Sequence, residues 1–106
     1  MSTHRHTQIT ETIAHLAAEF LAREASNQSL ITVTRAVVSE DLKNATIYLS
    51  VLPQTEEKPA LEFARRSRSD FTTYMHAHSF LRPPMIDFAI DYGEKNRQRV
   101  DELTRK

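Results

Sequence analysis

The segment LITVTRAVVSEDLKNATIYLSVL, residues 30–52, decides the fold, because its apolar and β-branched residues recur with the period of two that paired strands require. In the first half Ile31 and Val33 share a face while Thr32 and Thr34 point the other way; in the second, Ile47, Leu49 and Val51 oppose Thr46, Tyr48 and Ser50. The halves predict a hairpin with one buried face. Between them Ser39-Glu40-Asp41-Leu42-Lys43-Asn44 offers short polar side chains that bond locally to the backbone, with no Asn-Gly or Asp-Gly pair, so a longer capped turn is expected. The apolar phase set by Ile31 and Val33 changes by one residue at Ala36 and Val38, with Arg35 between. An inserted bulge residue produces that change, and it bends the first strand.

Outward from this hairpin the chain reads as helices laid against it. From about Thr7 to Arg23, Ile9, Ile13, Leu16, Phe20 and Leu21 recur at helical spacing, followed by a polar link at residues 25–29. After Leu52 a polar stretch bracketed by Pro53 and Pro59 leads into a second helix, with Thr55 or Glu56 at its cap, Leu61 and Ala64 toward the core and Phe63 flanking. Ser67-Arg68-Ser69-Asp70 suits a helix terminus better than a helix interior, so the helix should break there and restart with Ser69 or Asp70 as cap. The restarted helix carries the stripe Phe71, Tyr74, Met75, His78 and runs to about Phe80-Leu81, where Arg82, preceding a proline, is pushed out of helical geometry. Beyond Pro83 and Pro84, Ile86, Phe88 and Ile90 alternate with Asp87, Ala89 and Asp91, a third half-buried strand. A helical pair between strands two and three predicts a crossover connection and a parallel pairing, giving a mixed three-stranded sheet. The expected unit is one α+β domain, residues 1–106, with helices on one face, a flexible N-terminus at 1–6 and a helical tail at 94–106.

Composition narrows the function. With 106 residues, 40% hydrophobic and 26% charged, the chain has the makeup of an ordinary globular domain, and without cysteine it has neither disulfides nor thiolate zinc ligands. No signal-peptide pattern opens the sequence and no apolar run has membrane-spanning length, so a cytoplasmic address and no membrane partner are expected. The single glycine, Gly93, excludes a P-loop, a dinucleotide fingerprint and a nucleophile elbow, each of which needs several; no cofactor is expected. Net charge is zero, yet cations cluster: Arg65, Arg66 and Arg68 fall within four residues, and Lys95, Arg97 and Arg99 within five.

Each candidate has a plain reading beside the functional one. The three arginines are either a phosphate-gripping cluster or the solvated end of a helix favoured by its dipole. The tail cations stand among Glu94, Asp101 and Glu102 and suit an ordinary charged helix. His76 and His78 diverge on a helix, and His4 and His6 lie in the N-terminus, so no metal is expected. Asp87 and Asp91 lie on the solvent face of an outer strand, where charge serves solubility. Tyr48 could stack on a base, but more often such a residue fills a cross-strand pair.

The order α-β-β-α-α-β with a polar break between the paired helices resembles a type II KH domain, in which the interhelical loop and sheet edge grip single-stranded RNA. The blocks ITVTRAVVSEDLKNATIYLSVL, LRPPMIDFAID and RQRVDEL, at their spacing, resemble the ribosome-binding factor A family, cold-shock-associated assembly factors of the small ribosomal subunit, from about Arg5 to Leu103. The chain looks like a divergent member. Ser67-Arg68-Ser69 stands where the family has an Ala-x-Gly kink, Arg97 where the tail has glycine and Gln8 where an arginine precedes the first helix; the Asp-Pro-Arg turn before strand one is absent, and the segment after Leu81-Arg82 is one residue short. The resemblance implies a KH-like fold with a kink between helices two and three, and binding to immature 16S ribosomal RNA near the decoding region of the 30S subunit. It also implies release on maturation, no catalysis and a monomeric protein. It makes Arg65, Arg66, Ser67, Arg68 and Ser69 the expected RNA contacts, with Arg82, Lys95, Arg97 and Arg99 behind them.

Two other classes remain open at this level: a KH-like RNA-binding or protein-interaction module outside the ribosome, and a small enzyme, for which no nucleophile and base constellation is visible. Salt separates RNA from protein partners, since phosphate contacts give affinity that falls steeply with ionic strength.

Overall fold

A computed structural model describes residues 2–24, 29–78, 80 and 82–93. In chain order α1 is Ser2–Glu24, β1 Leu30–Val38, β2 Asn44–Leu52, α2 Glu57–Arg66, α3 Arg68–Ala77 and β3 Met85–Ile90, with a 3-10 turn at Gln54–Glu56. The sheet order is β1-β2-β3, β1 antiparallel and β3 parallel to β2, as the alternation and the helical crossover predict. The register of β1 against β2 shifts between Val33 and Arg35, leaving Thr34 as the bulge residue. Strand two buries Ala45, Ile47, Leu49 and Val51 against the helices, strand three Ile86, Phe88 and Ile90. On the other face Arg35, Tyr48 and Ala89 form one register row, and Val37, Thr46 and Asp87 the next. Among the described residues no helix covers that face.

The hairpin turn is capped by its own side chains. Ser39 Oγ donates to Asp41 Oδ1 at 2.6 Å, the Lys43 N–H donates to the same oxygen at 3.1 Å, and the Asn44 N–H donates to Ser39 Oγ at 3.0 Å. The Ser39 hydroxyl, then the Lys43 amide, holds the Asp41 carboxyl below its usual range. Leu42 closes the turn at φ 63°, a left-handed conformation costly for a branched side chain and offset by these bonds and by its packing on the core.

The core lies between α1, α2, α3 and the sheet. Phe71 is fully buried, with Phe20 at 5.3 Å, Phe88 at 6.1 Å and Tyr74 at 6.5 Å between ring centroids, so one aromatic group joins α1 and α3 to β3. The helix α2 buries Ala60 and Ala64, while Leu61 and Phe63 are only half-buried. Small residues one turn apart let its backbone approach the sheet, which apolar periodicity, weighted toward Leu61, did not indicate. Ala60 belongs to a second small cluster with Val51 and Ile90.

Four expectations need correction. Residues 2–6 are helical rather than a loose terminus: the His6 ring donates to the Val38 carbonyl at 2.7 Å and the Thr10 hydroxyl to the His6 carbonyl at 2.8 Å, tying the first turns to the end of β1. The helix α3 restarts at Arg68, with Ser67 rather than Ser69 or Asp70 at the boundary, and it ends at Ala77. His78 lies outside the core stripe, exposed, its ring 4.2 Å from that of Tyr74. Asp91 is not on a solvent face but buried, 5% exposed, at the exit of β3. The helical tail expected at 94–106 lies outside the described residues.

Candidate functional site

The break between α2 and α3 is a single residue. Ser67, at φ −91° and ψ 5°, ends one helix and begins the next, and it is 8% exposed. Its N–H donates to the Phe63 and Ala64 carbonyls at 3.1 Å and its hydroxyl donates back to Phe63 at 2.9 Å. The serine hydroxyl therefore satisfies a carbonyl of α2 and caps no amide of α3, which has no side-chain cap. Ser69 is exposed in the first turn of α3.

Arg65, Arg66 and Arg68 are all exposed around this break, and Arg65 and Arg68 reach the outer edge of β3. Arg65 Nε donates to Asp87 Oδ1 and to the Phe88 carbonyl, each at 3.2 Å, and Arg68 Nη1 lies 3.5 Å from the same Asp87 oxygen. Arg68 Nε donates to the Arg65 carbonyl at 3.1 Å, holding the two guanidinium groups in register. Asp87 Oδ1 also accepts the Phe88 N–H at 2.8 Å. The sequence reading of Asp87 as a solubilising charge is thus corrected: it anchors the helix break to the sheet edge and blocks the outward amide of Phe88. No periodic signal places an acid of β3 against the end of α2; only the parallel crossover brings them together. The Arg66 side chain makes no hydrogen bond or ion pair among the described residues.

Arg82 stands apart from this cluster. It lines a groove of about 940 Å³ between the start of α1, the β1–β2 turn and the approach to β3, with Arg5 and Lys43 beside it and Ile9, Phe80 and Pro83 in its wall. Arg5 and Lys43 carried no sequence signal, being single cations in separate segments. Lys95, Arg97 and Arg99 lie outside the described residues. Tyr48 forms the cross-strand pair: the Arg35 guanidinium lies 4.0 Å above its ring centroid, on the open face of the sheet. Among the described residues no three His, Cys, Asp or Glu side chains converge as metal ligands, and no helix is long and apolar enough to cross a membrane.

The arrangement offers exposed guanidinium groups beside a strand edge, suited to bidentate contact with anionic oxygens. Comparison with known proteins identifies the family. The family model described as ribosome-binding factor A matches residues 5–104. Ribosome-binding factor A of Thermobifida fusca is 31% identical over 106 residues, covering 96% of this chain and 70% of that protein. In fold the chain is similar to the crystal structure of ribosome-binding factor A from Thermus thermophilus, with a TM-score of 0.71, 17% identity and coverage of 79% of this chain and 92% of the other. It is also similar, with a TM-score of 0.66, 18% identity and coverage of 76% and 88%, to a homology model of the Thermus thermophilus factor fitted into a cryo-EM map of its complex with the 30S subunit. With the family model spanning nearly the whole sequence, the chain belongs to the ribosome-binding factor A family.

Proposed function

We propose that the protein is a non-catalytic assembly factor that binds immature 16S ribosomal RNA and assists maturation of the 30S subunit, acting as a cytoplasmic monomer. The observation that carries this reading is family membership across residues 5–104, joined to three exposed arginines at the helix break. The related Thermus thermophilus factor fitted into a 30S complex supports the choice of subunit. Arg65, Arg66 and Arg68 grip phosphate oxygens, Ser67 and Ser69 frame the break, and Arg82 extends the contact from its groove with Lys95, Arg97 and Arg99 of the tail. The cations that the described residues place around the helix break support a binding role.

Co-sedimentation with separated ribosomal particles tests it. Binding to small subunits, stronger for immature than for mature particles and absent from large subunits, is the expected result. Equal binding to both subunits, or RNA cleavage that persists through purification, overturns it.

A further inference from the structure

Three donors from three segments meet at one oxygen beside the helix break: Arg65 Nε at 3.2 Å, Arg68 Nη1 at 3.5 Å and the Phe88 backbone N–H at 2.8 Å all face Asp87 Oδ1. Two guanidinium groups and an outward amide of an edge strand form an anion site, whatever anion fills it. The resident carboxylate is a weak tenant. Asp87 is 48% exposed, Arg65 46% and Arg68 50%, so solvent screens both pairs and each holds the arginines only loosely. Arg65 shares one N–H between Asp87 and the Phe88 carbonyl, and its two terminal nitrogens have no partner among the described residues. A phosphate offers more acceptor oxygens than a carboxylate and can engage those nitrogens as well.

We propose that this is a phosphate site for the RNA backbone and that Asp87 occupies it in the free protein as an internal stand-in, swinging out to solvent when a phosphate enters. The proposal rests on the reading of the protein as an RNA binder and adds where one phosphate sits and what competes for the place. Asp87 then sets a threshold: an RNA must displace it, so isolated phosphates and weakly placed strands are refused while a strand held by Arg66 and further contacts succeeds. The exchange breaks two ion pairs and forms at least two, with no covalent step.

The test measures binding of a single-stranded 16S fragment by the full chain across a salt series. In Asp87→Asn the side-chain oxygen can still accept the Phe88 N–H, but the competing charge is gone; affinity should rise about threefold to tenfold, because two exposed ion pairs no longer oppose binding. Adding Arg68→Gln to Asp87→Asn should abolish the gain. Asp70→Asn removes an exposed carboxylate from the first turn of α3 without touching the donors, and should raise affinity less than Asp87→Asn. Thermal unfolding of each variant separates a folding defect from a binding change. Salt-dependent binding by the wild type with no gain in Asp87→Asn, or an equal gain in Asp70→Asn, overturns the stand-in and leaves the RNA-binding reading in place. No salt-dependent binding by the wild type overturns both.

Discussion

Thr34 donates its hydroxyl proton to Asp91 at 2.6 Å, across 57 residues of sequence and from β1 to the exit of β3, two strands that are not neighbours in the sheet. Thr34 is the bulge residue, and Arg35, next to it, reaches the same carboxylate oxygen at 3.3 Å. The bulge thus turns two consecutive side chains over β2 to hold the end of β3. The Tyr48 carbonyl also lies near the Thr34 hydroxyl, at 3.2 Å, but the hydroxyl has one proton and the shorter contact to a charged acceptor takes it. At Gly93 an added Cβ would stand 3.3 Å from Asp91 Oδ1, so the lone glycine leaves room where the chain passes the buried carboxylate.

Stability should depend on this link. Thr34→Val keeps the side-chain shape and removes the donor, leaving a buried carboxylate short of a bond; the expected loss is about 1–3 kcal/mol by denaturant unfolding. A loss no larger than that of an exposed Thr32→Val control would show the contact to be idle.

The same carboxylate gives a pH dependence of definite sign. The Thr34 hydrogen bond, with a smaller part from Arg35, holds the Asp91 carboxyl below its ordinary value against the opposing effect of burial. The folded protein therefore binds fewer protons at Asp91 than the unfolded chain between the two pKa values. The stabilisation is complete above the unfolded value of about 3.9 and is lost as pH falls through the lower folded value. Unfolding followed from neutral pH down to about 2 should show stability falling below about pH 4 more steeply in the wild type than in Asp91→Asn, which has no charge to lose there.

In the core, Phe71→Ala removes the ring that Phe20, Phe88 and Tyr74 share. The loss should be roughly 3 kcal/mol or more, the usual range for a buried phenylalanine leaving a cavity. A measured loss below about 1 kcal/mol would mean that the helices close over the gap, which a packed aromatic cluster does not readily do.

Replacing Arg65, Arg66 and Arg68 together by glutamine should weaken binding to small-subunit RNA and flatten its salt slope by about two units, as three phosphate contacts on a single strand would. The fold should survive, because the ion pairs lost to Asp87 are exposed ones worth under about 1 kcal/mol each. An unchanged slope in a folded variant would move the grip to the groove around Arg5, Lys43 and Arg82.

How far these features could be read beforehand depended on whether their cause is local. The period-two alternation of β2 and β3, the change of phase that marks the bulge and the polar break before Phe71 are properties of consecutive residues; the alternation and the bulge recur in the structure, and the break recurs with its restart at Arg68, ahead of the expected Ser69 or Asp70. Asp91 looked like a surface charge because alternation says which way a side chain leaves a strand, not what waits there; the bulge aims Thr34 at it from two strands away. Asp87 was opaque for the same reason, its partners arriving on α2 and α3 through the crossover. Ala60 and Ala64 carry little apolar signal, and their burial comes from close approach rather than hydrophobic bulk.

The helix break allows one further separation, between grip by side chains and grip by backbone. A glycine-bearing kink would let a phosphate approach the first amides of α3, whereas here Ser67 is buried at an ordinary negative φ and needs no glycine to make the turn. Converting the break to Ala-Arg-Gly with Ser67→Ala and Ser69→Gly removes the hydroxyl bond to Phe63 and places glycine in the first turn of α3. The combined cost should be about 1–2 kcal/mol, from one lost hydrogen bond and the greater backbone entropy of glycine. If the arginines do the gripping, affinity for the 16S fragment should stay within about twofold of wild type, since all three cations and their Asp87 anchor are untouched. A rise of about tenfold, worth roughly 1.4 kcal/mol of new contact, would instead assign the phosphate to the first amides of α3.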